Sequence, residues 1–168
     1  MISKPVFAFD GGLGLAVAEE GDDQFRPAAL LHLGWSPFYY SRVFYYGRTF
    51  GPITEQTYLA SFSRRFGLFK SSGFEGAVGG CFLSETITMR STDDSPNTST
   101  TVTKASVDER EQNYNVGMTF GVFWIPSGFA PFYLNVGWES HVFLAGSAGL
   151  FLSTGRKQMV SVTTGLKF

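Results

Sequence analysis

The 168-residue sequence holds no run of 18 or more apolar residues, because Gly, Pro, Asn, Thr and Ser interrupt every candidate. A membrane-crossing helix is therefore excluded, and any crossing must be made by strands. There is one cysteine, Cys81, which cannot close a disulfide within the chain and has no metal-ligand companions in the sequence. No charge excess exists either: 13 Lys and Arg stand against 14 Asp and Glu, and no basic run appears. Nothing here would draw nucleic acid, and it is not expected as a partner. The length fits one domain, residues 1–168. An export signal is also missing, since the apolar stretch after Lys4 is broken by Asp10, Gly11 and Gly12, so Met1 is read as a start set on a mature chain.

What the sequence has in quantity is aromatic side chains, 17% of the chain, together with 20 Gly. That pairing suits a barrel with an aromatic-girdled wall and a narrow interior. The pattern is clearest over residues 114–144. Val116, Met118, Phe120, Val122 and Trp124 alternate with Asn115, Gly117, Thr119 and Gly121, and after a turn at Pro126 the alternation restarts with Phe132, Leu134, Val136 and Trp138 against Tyr133, Asn135, Gly137, Glu139 and His141. A period of two sustained this long means strands. Their length, with one face apolar and the other Gly, Asn and Thr, matches the roughly 9–11 residues of a transmembrane strand.

Similar strands are read over residues 5–18, 27–35, 38–49, 56–66, 74–90 and 158–168, with loops at 19–24, 50–55, 91–106 and 145–157. Over 38–49 both parities carry rings; Arg42 and Arg48 are placed inward, because a charge on the lipid face at the midplane costs about 2–4 kcal/mol. Arg64 faces outward and must snorkel. Past Phe82 the lipid-facing parity becomes Ser84, Thr86 and Thr88, so a hairpin over residues 84–112 is expected to stand above the membrane. Its Ser/Thr-rich tip, residues 91–106, is a solvated loop and the expected place for a protein or surface ligand. Short and long connections alternate, which puts both termini on the short-turn side. The expected fold is an all-β, eight-stranded antiparallel up-and-down transmembrane barrel.

The terminal Phe168, preceded by alternating Leu166, Val162 and Val160 with Thr164 as a mild departure, resembles the C-terminal signal of the small eight-stranded outer-membrane barrels of Gram-negative bacteria, the OmpA/OmpX type. The resemblance covers the chain as pattern. It implies a bacterial outer-membrane location among outer-membrane lipids, assembly by the barrel-assembly machinery through Val160, Val162, Leu166 and Phe168, and roles from anchoring and adhesion to lipid modification.

Glu139 and His141 share the inward face and are the candidate catalytic pair, a His and an acid that could serve a nucleophile. Ser140 between them points to lipid, and the spacing of the outer-membrane lipid A deacylases, which keep Ser and His on one face, is not reproduced. The competing assignment is an interior salt-bridge network of Asp10, His32, Arg42, Arg48, Glu75, Glu139 and His141, with Arg42 or Arg48 pairing Glu139. Arg65, Glu85 and Lys167 fall on the same parity. An eight-stranded barrel is just wide enough for side chains to fill, which argues against a pore. Trp35, Tyr45, Trp124 and Trp138 are expected as interface anchors. Asp93, Asp94 and Asn97 fit no EF-hand spacing, and no cofactor or metal is expected. The expected function is non-enzymatic, through surface loops in adhesion, envelope integrity or partner binding. The alternatives are a lipid-modifying acyl hydrolase, a narrow solute channel and a soluble lipocalin-like barrel.

Overall fold

The structure, a computed structural model, describes residues 8–20, 24–36, 39–68, 73–90, 108–126, 131–146 and 155–167. Eight strands follow in chain order: β1 (Ala8–Glu20), β2 (Gln24–Ser36), β3 (Tyr39–Phe50), β4 (Ile53–Gly67), β5 (Phe74–Arg90), β6 (Asp108–Trp124), β7 (Phe132–Gly146) and β8 (Arg156–Lys167). Each pairs antiparallel with the next, and β1 closes onto β8. Closure leaves no sheet edge within the wall, which is what backbone amides require in hydrocarbon.

Side-chain parity fixes what the wall faces. On β1, Leu13 and Leu15 are 69% and 74% exposed on the outside, while Ala16 and Ala18 are buried inside. The same alternation puts Phe62, Val116, Phe120, Val160 and Val162 outward and Ser61, Thr119, His141, Ser161 and Thr163 inward. A soluble barrel carrying an apolar ligand would need the reverse, so the lipocalin-like alternative is ruled out. Ring pairs mark the outer wall, among them Tyr45–Tyr58 and Phe82–Tyr114 toward the upper end, with Phe9–Trp35 toward the lower end. Here the lower end is the one bearing the Leu68 to Gly73 connection, and the upper end bears the turn at Gly51–Pro52.

The stagger of the closed sheet follows from its register. Partners traced from Leu13 through Leu31, Val43, Ala60 and Phe82 arrive at Val116, whereas the opposite route through Thr164 and Leu134 arrives two residues past Trp124. The difference, about ten residues along β6, is the shear that tilts the strands of a small barrel by roughly 35–45°.

Hydrogen-bonded strands run further than the apolar pattern suggested. The charged loop expected over 19–24 is taken up by β1 as far as Glu20 and by β2 from Gln24, and the loop expected over 50–55 is a tight turn at Gly51–Pro52, with Gly51 at φ 57°. Likewise β7 continues to Gly146, and β8 already begins at Arg156. Alternation of apolar residues reports only where lipid ends. Backbone pairing continues past that level, because in water a ladder needs no greasy face.

The interior is layered. At the bottom lie Asp10, His32, Arg65 and Glu75; above them Tyr40, Arg42 and Glu139; then an apolar plug of Ala16, Ala18, Leu30, Phe44, Leu59, Leu83 and Met159, all 3% exposed or less. Glycines make the space: a Cβ on Gly34 would lie 1.7 Å from Asp10 Oδ1, and one on Gly137 would lie 2.3 Å from the Phe123 ring.

Candidate functional site

The middle layer is organised by Arg42. Its Nη1 donates to Glu139 Oε2 at 2.5 Å, its Nη2 donates to Ser161 Oγ at 2.9 Å and Thr163 Oγ1 at 3.0 Å, and the guanidinium lies over the Phe123 and Phe44 rings at 5.0 and 5.4 Å. Both members of the Arg42–Glu139 pair are 0% exposed. Tyr40 adds a long hydroxyl contact to Glu139 Oε1 at 3.5 Å. Three strands are stitched together through one side chain, β3 to β7 and β8.

The bottom layer is a second chain of charges. Asp10 sits 3.2 Å from His32 Nε2 and 3.3 Å from Arg65 Nη1, and Arg65 Nε donates to Glu75 Oε2 at 2.6 Å. Asp10 thus joins His32 and Arg65, and Arg65 joins Glu75; the Tyr40 ring, 5.7 Å from the His32 ring and 6.0 Å from the Arg65 guanidinium, links this layer to the Arg42 group.

His141 stands apart from the acid two residues before it. Both ring nitrogens have no hydrogen-bond partner among the described residues, and the ring packs edge-on against Phe44 at 5.9 Å. Glu139 is held by Arg42 instead. Ser140 is on the outer wall, where its Oγ accepts from Arg156 Nε at 3.1 Å. The hydrogen-bonded series nucleophile, base and orienting acid that acyl transfer uses is not formed by these three residues.

Of the two arginines considered for Glu139, Arg42 has it. Arg48 lies at the upper mouth, 39% exposed, where Nε and Nη2 donate to Glu55 at 2.5 and 2.9 Å; Arg26 Nη1 donates to the same carboxylate at 3.2 Å. Lys157 Nζ donates to Glu85 Oε1 at 2.7 Å and to Tyr46 Oη at 3.0 Å. Arg26, Arg48, Glu55, Glu85 and Lys157 line a cup of about 240 Å³ whose walls include Thr57. Its floor is the apolar plug, so the cup is blind. The hydrogen bond from Arg48 holds the Glu55 carboxyl below the usual carboxylate range. Arg26, Glu55 and Lys157 were missed in the sequence because they fell in segments read as loops or next to them, yet their parity with Leu30, Leu59 and Ser161 would have placed them inward.

Above the cup the sheet continues on one side only. Pairing of β4 with β5 extends to Ile53↔Met89, and of β5 with β6 to Arg90↔Asp108, whereas β6 and β7 last pair at Asn115↔Gly146. Arg90 N also donates to Pro52 O at 2.9 Å. The hairpin expected over 84–112 is therefore the far end of a broader sheet that β4 backs. Among the described residues no strand pairs with β6 over 108–113 on its β7 side. Across the β5–β6 ladder, Ile87, Met89, Arg110 and Glu111 border a groove of about 320 Å³.

Other expected site residues are placed more simply. Val160, Val162 and Leu166 face outward, and Lys167 is exposed at the lower end. Phe168, residues 91–106 and with them Asp93, Asp94 and Asn97 lie outside the described residues. Trp35, Tyr45 and Trp124 are on the outer wall; Trp138, midway along β7, gives its indole N–H to Gln158 Oε1 at 3.2 Å. Among the described residues no cluster of His, Cys, Asp and Glu has the arrangement to hold a metal ion.

No protein-family model and no curated protein matches the sequence. Solved structures do match. The chain is similar to Ail, the attachment invasion locus protein of Yersinia pestis, with 9% identity over 96% of this chain and 99% of that one and a TM-score of 0.54. It is similar to Neisserial surface protein A at 13% identity, covering 96% and 97%, TM-score 0.53. A third is the N-terminal β-barrel domain of Pseudomonas aeruginosa OprF at 9% identity, covering 98% and 100%, TM-score 0.51. At these identities the likeness is one of fold: the chain is a closed eight-stranded antiparallel barrel, as these small outer-membrane proteins are.

Proposed function

We propose that this chain is a bacterial outer-membrane protein, its lower end periplasmic and its upper end at the cell surface, that works without catalysis by presenting the upper sheet and residues 91–106 to a partner in adhesion or envelope integrity. The observation that carries the reading is the one-sided extension of β4, β5 and β6 beyond the ring-marked wall, where Thr54, Gln56, Thr86, Thr88, Arg110 and Gln112 replace Tyr58, Phe82 and Tyr114. Building paired strands into water has no use in anchoring. Among the described residues it leaves a backbone edge over 108–113, on which an extended segment can add by main-chain hydrogen bonds, with little demand on sequence. The blind cup and plugged interior give no support to a solute channel. The separation of Glu139, His141 and Ser140 gives none to an acyl hydrolase.

Delivery to the membrane would rest on the assembly machinery reading Val160, Val162, Leu166 and Phe168. The functional reading is tested on intact cells. Protease should cut within residues 91–106 and leave a barrel core, and deleting those residues should leave folding intact while surface binding is lost. Binding that persists after the deletion would overturn the reading. A lipid A species that appears on expression and vanishes in His141→Ala would replace it with the enzyme.

A further inference from the structure

On the outer wall, β8 carries a polar head on an apolar tail. Its lipid-facing row reads Arg156, Gln158, Val160, Val162, Thr164, and the register sets it between Ser140, Trp138, Val136 and Leu134 on β7 and Glu19, Val17, Leu15 and Leu13 on β1. At the top, Arg156 Nε donates to Ser140 Oγ, which leaves its Nη groups to meet another acceptor, and the Trp138 indole donates to Gln158 Oε1, which leaves the Gln158 amide N–H groups as donors. Below, Leu13, Leu15, Leu134 and Val162 line an apolar groove of about 440 Å³.

From this we infer that the β7–β8–β1 wall binds one phosphorylated glycolipid of the outer leaflet, with its phosphate on Arg156, its sugar against Gln158 and Trp138, and an acyl chain in the groove. The inference rests on the membrane orientation proposed above. Three arguments support it. A lone arginine on a lipid-facing row is expensive unless an anion meets it, and a guanidinium is the side chain whose fork matches phosphate oxygens. The distances also fit. From Arg156 to Val162 is about 20 Å along the strand; with the tilt of a small barrel that is about 15 Å of height, half of a ~30 Å hydrocarbon core, so head and groove are one leaflet apart. Thirdly, the row is amphipathic along its length and not around it, which suits a lipid lying parallel to the strand. Glu19, the register partner of Gln158, is the acidic neighbour that limits the charge of the site.

The test uses the full chain refolded into phosphatidylcholine nanodiscs that contain a few per cent of diphosphorylated lipid A, with lipid retained per barrel read by native mass spectrometry. Parallel discs carry dephosphorylated lipid A or phosphatidylglycerol. Retention of diphosphorylated lipid A should fall about tenfold in Arg156→Gln, as loss of a charge-assisted contact does. Ser140→Ala should show a smaller fall and Glu19→Gln a rise, each with unchanged far-ultraviolet circular dichroism. The dephosphorylated lipid should be retained as weakly as in Arg156→Gln. Equal retention by wild type and Arg156→Gln, or equal retention of phosphatidylglycerol, overturns the lipid site while leaving the barrel's location intact. A chain that does not insert at all overturns both.

Discussion

Arg42–Glu139 and Arg48–Glu55 are the same chemical pair with the same 2.5 Å contact, set in two regions of one lumen. The first is sealed between layers, both partners 0% exposed; the second opens onto the cup, at 39% and 21%. Burial changes what the pair means. In the sealed layer neither ion can be re-solvated, so each exists by virtue of the other and of Ser161 and Thr163, and the pair fixes how β3, β7 and β8 sit together. At the mouth water can replace either partner, so the pair shapes a surface and does little to hold the fold. The lower pair is structure, and the upper one belongs to the part of the molecule that meets other molecules.

Breaking the lower pair should have the largest effect. Glu139→Ala leaves the Arg42 guanidinium charged and unmatched in a closed layer, for an expected loss of about 3–5 kcal/mol, read as a shift in urea unfolding of the detergent-folded barrel. The double variant Arg42→Met, Glu139→Leu removes both charges and should recover most of that loss. A Glu139→Ala barrel as stable as wild type would mean that the pair is not sealed.

Next in size is a charge placed on the other side of the wall. Val136 and Asn135 are neighbours with opposite faces, and Val136→Arg puts a cation against lipid at about 2–4 kcal/mol, seen as impaired refolding into lipid vesicles. Asn135→Ala should be mild, since the Asn135 Oδ1 has no partner among the described residues to lose. If Val136→Arg folded normally, the assignment of faces would be wrong.

How much of this could be read from residues alone follows from what periodicity records. The eight strands and their faces were legible because lipid imposes a strict two-residue alternation, as in Val116 to Trp124. Glu139, Arg42 and Asp10 were legible as inward for the same reason. Which arginine meets which acid was not: Arg42 and Arg48 share the inward face with Glu139, and only the stagger of the closed sheet brings Arg42 level with Glu139 and sends Arg48 to Glu55. Strand ends were illegible too, since Ile53 and Asp108 lie past the lipid, where no alternation is required. The outer-wall cluster of Arg156, Ser140 and Gln158 was hidden because Arg156 stood in a segment read as loop.

At the mouth the effects shrink. Arg48→Ala should cost about 0.2–1 kcal/mol, the range of exposed ion pairs, because Arg26 still reaches Glu55 at 3.2 Å. A double-mutant cycle over Arg48 and Glu55 reads the coupling directly. A coupling as large as that of Arg42 with Glu139 would erase the distinction between the two regions.

The smallest effect is a pH dependence that only the upper pair should show near the ordinary carboxylate range. Arg48, first by its hydrogen bond, lowers the Glu55 pKa below its unfolded value. A carboxylate depressed in this way adds its stabilisation above the unfolded pKa and loses it as pH falls through the folded one. Acidification below the ordinary carboxylate range should therefore loosen the end of the sheet where β3 turns into β4, and the protection of the Thr49, Phe50, Ile53 and Thr54 amides, taken against the intrinsic exchange rate at each pH, should fall from its neutral-pH value. The change should be small, because Glu55 is reached by water and its partner is partly exposed. In Glu55→Gln the protection of these amides should be low already at neutral pH and flat with acidification. Protection in wild type that stays flat through the same range would show that Glu55 does not hold the turn, and would leave the mouth pair as surface charge with no part in shaping the cup.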